Sequence, residues 1–67
     1  MELVFKNRIK ETREKKGFSQ AKLAEIVGTT RQTIIAIEKG TFSPTARLAC
    51  LICLALDTKF EDLFYFE

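Results

Sequence analysis

The sequence predicts an all-α fold of five short helices, and two observations support that prediction. First, the three glycines and the single proline divide the 67 residues into short units. The spacing of these breaks, about a dozen residues or fewer, suits short helices. Second, apolar residues within the units recur at the intervals of helices that bury one face. A chain of this length is expected to form one domain, residues 1–67.

The first helix is predicted over Asn7–Lys16, where most residues are good helix formers and Ile9 is the clearest core residue. Lys15 lies in the predicted last turn, where the helix dipole favours positive charge. Gly17 follows as the residue that ends the helix.

The second helix is predicted over Gln20–Val27, because Ser19 is a good N-cap and Gly28 can take the left-handed conformation that ends a helix sharply. The residue three positions after the cap is Lys22, so the capping box is incomplete. Its expected core face holds Leu23, Ala24 and Val27.

The third helix is predicted over Arg31–Lys39, between a Thr30 N-cap and Gly40. Ile34 and Ile37 are three residues apart and form its expected buried stripe.

Two more helices are predicted in the last third of the chain. The fourth covers Ala46–Leu56 and begins at either Thr45 or Ser43 as its cap. The fifth covers Lys59–Leu63, and Thr58 has a glutamate three residues later, which fits the capping-box spacing.

Both ends of the chain differ from the helical units. Glu2–Phe5 and Leu63–Glu67 are rich in β-branched or aromatic residues, and each is long enough for one short strand. Two interpretations stay open at this point. The ends pair as a small antiparallel ribbon, or they are frayed tails with hydrophobic anchors.

The segment from Gln20 to Glu38, QAKLAEIVGTTRQTIIAIE, resembles the helix-turn-helix of the Cro/CI-type (Xre) transcriptional regulators. KNRIKETREKKGFSQ is similar to the family's first helix, and SPTARLA and KFEDLFYFE are similar to the end of its very short members. The resemblance implies a lambda-repressor-like DNA-binding domain with its helix-turn-helix at about residues 20–38. The matching positions are Gln20, Leu23, Ala24, Gly28, Ile34, Ile37 and Glu38.

The resemblance also implies which residues meet DNA. Arg31 could donate two hydrogen bonds to guanine, Gln32 could pair with adenine, and the Thr30 methyl could touch a thymine methyl. Without the surrounding pattern, Arg31 and Gln32 would read as ordinary solvent-facing residues. The expected base contacts are Thr30, Arg31, Gln32, Ile35 and Ala36. The expected phosphate contacts are Ser19, Gln20, Thr33, Lys39 and Thr41.

Ile35 and Ala36 depart from the family pattern, which often has polar residues there. This departure bears on the target sequence and not on the fold. The family also tends to link its first helix to the recognition helix through an Arg–Glu pair. Arg13 and Glu38 match those positions, which implies a structural ion pair.

The fourth helix is apolar around nearly its whole circumference, and one face is the natural core side. A second apolar face in so small a domain indicates a partner. The sequence therefore predicts a twofold homodimer. The alternative is that the terminal ribbon of the same chain covers this face. The expected interface residues are Leu51, Leu54, Phe64 and Phe66.

Charge favours a nucleic-acid partner, because residues 1–47 carry ten Lys/Arg against five Asp/Glu, whereas residues 48–67 carry one against four. Cys50 and Cys53 form a CxxC inside an apolar run, with no histidine in the chain to complete a metal site, so they are expected to pack as small hydrophobes. No metal, cofactor or small-molecule ligand domain is expected.

The predicted function is a cytoplasmic, homodimeric repressor that binds double-stranded DNA. The chain has no signal-peptide pattern and no apolar run of the length a membrane span needs. An enzyme is not expected, because no histidine, nucleophile elbow or phosphate loop is present. Two alternatives on the same fold stay open, an antitoxin-type DNA-binding protein and a protein-interaction module.

Overall fold

Five helices enclose one apolar core, and a two-stranded antiparallel ribbon joins the two ends of the chain. The computed structural model describes residues 2–67. The predicted five-helix fold and the terminal ribbon are both confirmed. In chain order the elements are β1 (Phe5–Asn7), α1 (Ile9–Lys15), α2 (Gln20–Val27), α3 (Arg31–Lys39), α4 (Ala46–Ala55), α5 (Phe60–Leu63) and β2 (Phe64–Phe66).

Three helices begin at side-chain caps that satisfy otherwise unpaired backbone N–H groups. Ser19 accepts a hydrogen bond from the backbone N–H three residues later, and Thr30 does the same. Of the two candidates for α4, Thr45 is the cap. The predicted bounds of α2 and α3 are confirmed, including left-handed Gly28 and Gly40 at their ends.

The start of α1 was predicted two residues too early. Asn7 belongs to β1, and its side chain organises the start of the helix: Oδ1 accepts a hydrogen bond from the Ile9 N–H at 3.1 Å. Nδ2 of Asn7 also donates to the Ile37 carbonyl at 2.9 Å, which ties the ribbon to the end of α3. At Asn7, strand pairing with the other end of the chain thus outweighs helix propensity.

The last two helices are each one residue shorter than predicted. Leu56 is the C-cap of α4, and Lys59 is the N-cap position of α5 without a side-chain bond. The predicted Thr58 capping box is wrong, because the Thr58 hydroxyl donates to the Leu56 carbonyl at 2.9 Å. The chain turns there through Asp57, whose φ is 50°.

The ribbon pairs Phe5 with Phe66 and Asn7 with Phe64. Backbone hydrogen bonds of 2.9 Å in both directions between Val4 and Glu67 extend it by one pair. β1 therefore lies further along the chain than the predicted Glu2–Phe5. The ribbon thus holds the segments at residues 4–7 and 64–67 side by side.

The core draws on every helix. Burying these large aliphatic side chains supplies most of the stability of such a small domain. Because Ile34 and Ile37 bury one side of α3, the opposite side of that helix faces outward. The fully buried side chains are Ile9, Leu23, Ile34, Ile37, Ile52, Leu56 and Leu63.

Candidate nucleic-acid interface

A tight turn connects α2 and α3, and the two helices pack against each other. Gly28 has φ of 76°, a left-handed conformation that favours glycine. The Thr29 N–H closes the turn on the Ala24 carbonyl at 2.9 Å. Ala24 is buried, as a small residue should be where two helices cross closely. The turn fixes where the N-terminus of α3 points.

The first turn of α3 is exposed. Thr30, Arg31 and Gln32 all face solvent, as an element that reads DNA requires. The Thr30 hydroxyl lies 3.0 Å from the Thr33 hydroxyl, and its oxygen also accepts the Thr33 N–H at 3.2 Å. Thr30 is therefore held in one orientation, with its side chain bound to the helix start.

A buried ion pair links α1 to the C-terminal half of α3. Nε of Arg13 lies 2.7 Å from Oε2 of Glu38, and a second bond of 3.1 Å joins the guanidinium to Oε1. Their side chains are only 8% and 7% exposed. Arg13 also donates to the Phe18 carbonyl at 3.1 Å. The hydrogen bond that Arg13 donates to Glu38 raises the pKa of Arg13 against the opposing effect of burial, so the arginine stays charged.

Gln20 connects this ion pair to the exposed arginine. Its Nε2 donates to Oε1 of Glu38 at 3.1 Å, and its Oε1 accepts a bond from Arg31 at 3.3 Å. We call Arg13, Glu38, Gln20 and Arg31 the positioning chain. It joins a buried pair to a side chain in the first turn of α3, so Gln20 positions Arg31. The sequence predicts for Gln20 only a contact with a DNA phosphate, not this positioning role.

Arg31 keeps donors for a ligand. An arginine has five N–H groups, and one of them is used in the single bond to Gln20. That bond is exposed and, at 3.3 Å, long, so it orients the side chain without locking it. The guanidinium can therefore present two parallel N–H groups to a guanine edge.

Ile35 and Ala36 lie next along α3 and are half-buried. Their partial exposure leaves apolar surface beside the first turn. Such surface could contact thymine methyl groups, but it offers no hydrogen bonds. The capacity for polar readout is therefore concentrated at the start of the helix.

The five phosphate candidates differ in the donors that they have left. The Ser19 oxygen accepts from the Lys22 N–H, which leaves its hydroxyl hydrogen available. The Thr41 hydroxyl donates to the Ala36 carbonyl at 3.2 Å, so its only side-chain donor is used. One of the Thr30 and Thr33 hydroxyls donates to the other, so one of their two hydroxyl hydrogens stays available. Lys39 is exposed at the far end of α3, about 12 Å from Arg31 at the helical rise per residue.

The predicted interface residues lie in different environments. Phe64 is 3% exposed and packs in the core, so it has almost no surface to offer a partner, which corrects its assignment. Leu51 is half-buried against the same core. Leu54 and Phe66 are 77% and 62% exposed. The ribbon thus covers Phe64 but leaves the outer side of α4 open.

Two packed helices across a glycine turn, with an oriented polar first turn on the second helix, define a helix-turn-helix DNA-binding protein. The chain belongs to the helix-turn-helix family, whose model matches residues 9–63. The resemblance to the Cro/CI-type regulators is confirmed, and the protein is a DNA-binding transcriptional regulator.

Similar proteins occur in bacteria and archaea. The chain is 53% identical over 62 residues to an HTH-type transcriptional regulator, YgzD, of Bacillus subtilis, covering 92% of this chain and 94% of that protein. It is 44% identical over 62 residues to the HTH-type transcriptional regulator MJ0272 of Methanocaldococcus jannaschii, with the same coverage. The crystal structure of the restriction-modification controller protein C.AhdI from Aeromonas hydrophila matches with a TM-score of 0.75 and 28% identity, over 81% of this chain and 78% of that one.

Within residues 2–67, no helix combines the length and the apolar character that crossing a bilayer requires.

Proposed function

We propose that the protein is a homodimeric repressor that binds a palindromic operator through the major groove. The observation that carries this proposal is the first turn of α3, which is exposed while its arginine is oriented through Gln20 by a buried ion pair. A helix end preorganised in this way suits readout of base edges, because the side chains lose little freedom on binding.

Each residue of that turn has a chemical role in the proposal. Arg31 donates to O6 and N7 of a guanine, and Gln32 pairs with N6 and N7 of an adenine. Thr30, Ile35 and Ala36 provide apolar contacts to thymine methyl groups. Ser19, Gln20, Thr33 and Lys39 meet phosphates, Gln20 through its remaining amide N–H.

The backbone of DNA attracts the basic part of the chain. Residues 1–47 hold α1 to α3 and carry ten Lys/Arg against five Asp/Glu. Each phosphate that such a surface neutralises releases counterions, so binding is expected to weaken as salt rises. The likeness to HTH-type transcriptional regulators supports a role in controlling transcription.

A dimer extends the length of DNA that the protein recognises. One recognition helix covers only a few base pairs, whereas two helices about 34 Å apart read successive major grooves. A twofold axis in the protein then matches the inverted repeat in the DNA. Bound at a promoter, in the cytoplasm, such a dimer excludes the transcription machinery and represses the gene.

Selection of bound sequences from random double-stranded DNA tests the proposal. The wild-type protein is expected to enrich an inverted repeat. Arg31→Ala and Gln32→Ala should keep the spacing of the repeat but each lose preference at particular base pairs, because only base contacts carry sequence information. Lys10→Ala, which removes an exposed cation on α1 that is not among the expected base contacts, is the control and should enrich the wild-type motif.

The proposal fails if no motif is enriched at low salt, a result that the protein-interaction module predicts. A wild-type motif from both Arg31→Ala and Gln32→Ala would place the readout elsewhere on the chain.

A further inference from the structure

A polar groove lies between the ribbon and the C-terminal end of α3, and its volume is about 360 Å³. The side chain of Asn7 holds the two walls together, because its Nδ2 donates to the Ile37 carbonyl at 2.9 Å. The residues that line the groove include Lys6 and Tyr65 on the ribbon side and Glu38, Lys39 and Gly40 on the helix side.

The groove opens beside the side of α3 that is proposed to face DNA. Arg31, Ile35 and Lys39 are spaced by four residues, so they follow one row along the helix, and Lys39 also lines the groove. A helix of about 10–12 Å diameter fills a major groove about 12 Å wide, so the DNA backbones pass along both of its sides. The groove beside Lys39 therefore lies where one backbone is expected to pass.

The ribbon has one apolar face and one polar face, because side chains alternate along a strand. Phe5 pairs with Phe66 on the apolar face, whereas Lys6 pairs with Tyr65 on the polar face. Arg8 belongs to the polar face as well, and its guanidinium carbon lies 3.9 Å from the centroid of the Tyr65 ring. Both cations of this face are exposed.

Positive charge therefore collects at the groove and its rim. Lys6 and Arg8 contribute from the ribbon, and Lys39 contributes from the end of α3. The carboxylate that lines the groove, Glu38, is already paired with the buried Arg13 at 2.7 Å. Such a concentration of cations is complementary to a phosphate backbone.

One exposed carboxylate occupies Lys6 in the free protein. Nζ of Lys6 donates to Oε1 of Glu67 at 2.8 Å, and the two side chains are 46% and 66% exposed. This hydrogen bond lowers the pKa of Glu67 and raises the pKa of Lys6, so both groups stay charged at neutral pH. Glu67 thus holds the place that a phosphate oxygen could take.

We propose that the polar face of the ribbon is a second contact with the DNA backbone, in which Lys6 binds a phosphate of the strand that Lys39 meets and this phosphate displaces Glu67. We call this contact the ribbon contact. It rests on the proposed operator binding and extends it from the helix-turn-helix to the paired ends of the chain.

The exchange of one anion for the other follows from their surroundings. A phosphate beside the Glu67 carboxylate would be repelled, and the exposed glutamate side chain can rotate into solvent. The phosphate then also meets the charges of Lys39 and Arg8, and its condensed counterions are released. Glu67 therefore weakens DNA binding without preventing it.

The salt dependence of operator binding tests the lysine, with the operator selected by the wild-type protein as the probe. Lys6→Ala should weaken binding at least roughly tenfold at about 0.1 M salt and reduce the salt slope by about two, because each copy in the dimer loses one phosphate contact. Its base preferences should stay those of the wild type. Lys22→Ala, which removes the lysine of the exposed pair with Glu25, is the matched control and should keep the wild-type slope.

Glu67→Gln tests the exchange, because it removes the competing charge and keeps the size of the side chain. It should tighten operator binding by roughly three- to tenfold at low salt. In the Lys6→Ala background the same substitution should change binding less than about twofold. A general gain of positive charge would tighten both backgrounds equally, and Glu25→Gln, which makes the same charge change in the other exposed pair, measures that general effect.

Ethylation of single operator phosphates locates the contact. One ethylated phosphate in each half-site should inhibit the wild-type protein and no longer matter to Lys6→Ala. Circular dichroism and the thermal midpoint check that each variant is folded. The backbone bonds of 2.9 Å between Val4 and Glu67 do not depend on the substituted side chains.

The ribbon contact is overturned if Lys6→Ala keeps the wild-type salt slope and ethylation pattern, or if Glu67→Gln acts equally in both backgrounds. Either result leaves the operator motif of the wild-type protein, and so the proposed function, standing. If the wild-type protein enriches no motif, the proposed function fails, and salt slopes on any DNA duplex still test Lys6, because phosphate contacts do not depend on sequence.

Discussion

Glu38→Ala is expected to lower the free energy of unfolding by about 3 kcal/mol, a large part of what holds this domain together. The substitution leaves the Arg13 guanidinium buried without its carboxylate, and both side chains are less than a tenth exposed. The cost of an unpaired buried charge exceeds the net value of the pair itself. Total stabilities of about 0.05–0.15 kcal/mol per residue imply that a 67-residue chain has little to spare.

Urea unfolding followed by circular dichroism measures this effect. The matched control is Glu25→Ala, which removes a carboxylate from the exposed pair with Lys22 at 3.0 Å. Since exposed pairs contribute little, that change should stay within about 0.5 kcal/mol. Equal losses in the two variants would show that the Arg13–Glu38 pair does not have the buried role described above. Glu38→Ala also breaks the positioning chain, so any folded fraction should bind DNA with weaker base preference.

Ile34→Ala is expected to cost about 2–5 kcal/mol of stability, whereas the same truncation one residue later should cost far less. Ile34 is completely buried, so removing its methyl and methylene groups leaves a cavity in the core. Ile35 is half-buried on the side of α3 that is proposed to face DNA. Ile35→Ala should therefore lower operator affinity while leaving most of the stability in place.

The two adjacent variants separate the core role of α3 from its DNA-contact role. Urea unfolding and operator binding are measured on both proteins. If Ile34→Ala unfolds, Ile34→Val replaces it, with an expected loss of stability of about 0.5–1.5 kcal/mol. Similar stability losses at the two positions would mean that α3 is rotated relative to the structure described here.

Local chemistry explains why most helices could be predicted. A Ser or Thr cap lies three residues from the backbone N–H that it binds, and a left-handed glycine ends the helix soon after. A short segment such as Ser19–Gly28 therefore contains both the start signal and the stop signal of its helix. The Arg13–Glu38 ion pair could be predicted only because the family resemblance implies it.

The parts that could not be predicted depend on contacts between distant residues. Asn7 joins a strand because its partner, Phe64, lies at the other end of the chain. The same pairing buries Phe64, which the sequence alone showed only as one of several apolar residues near the C-terminus. Gln20 bonds to side chains 18 and 11 residues away. No local sequence pattern predicts contacts between residues so far apart in the chain.

Binding to single-base-pair variants of the selected operator, measured at two salt concentrations, tests the central claim that the first turn of α3 reads bases. Arg31→Ala should lose about 1–3 kcal/mol of discrimination at one base pair in each half-site and discriminate normally elsewhere. Lys39→Ala removes one phosphate contact in each half-site, so it should weaken binding to every variant by the same factor and reduce the salt slope by about two. If Arg31→Ala instead weakens all variants alike, and keeps its discrimination at every base pair, the arginine contacts phosphate and the claim is wrong.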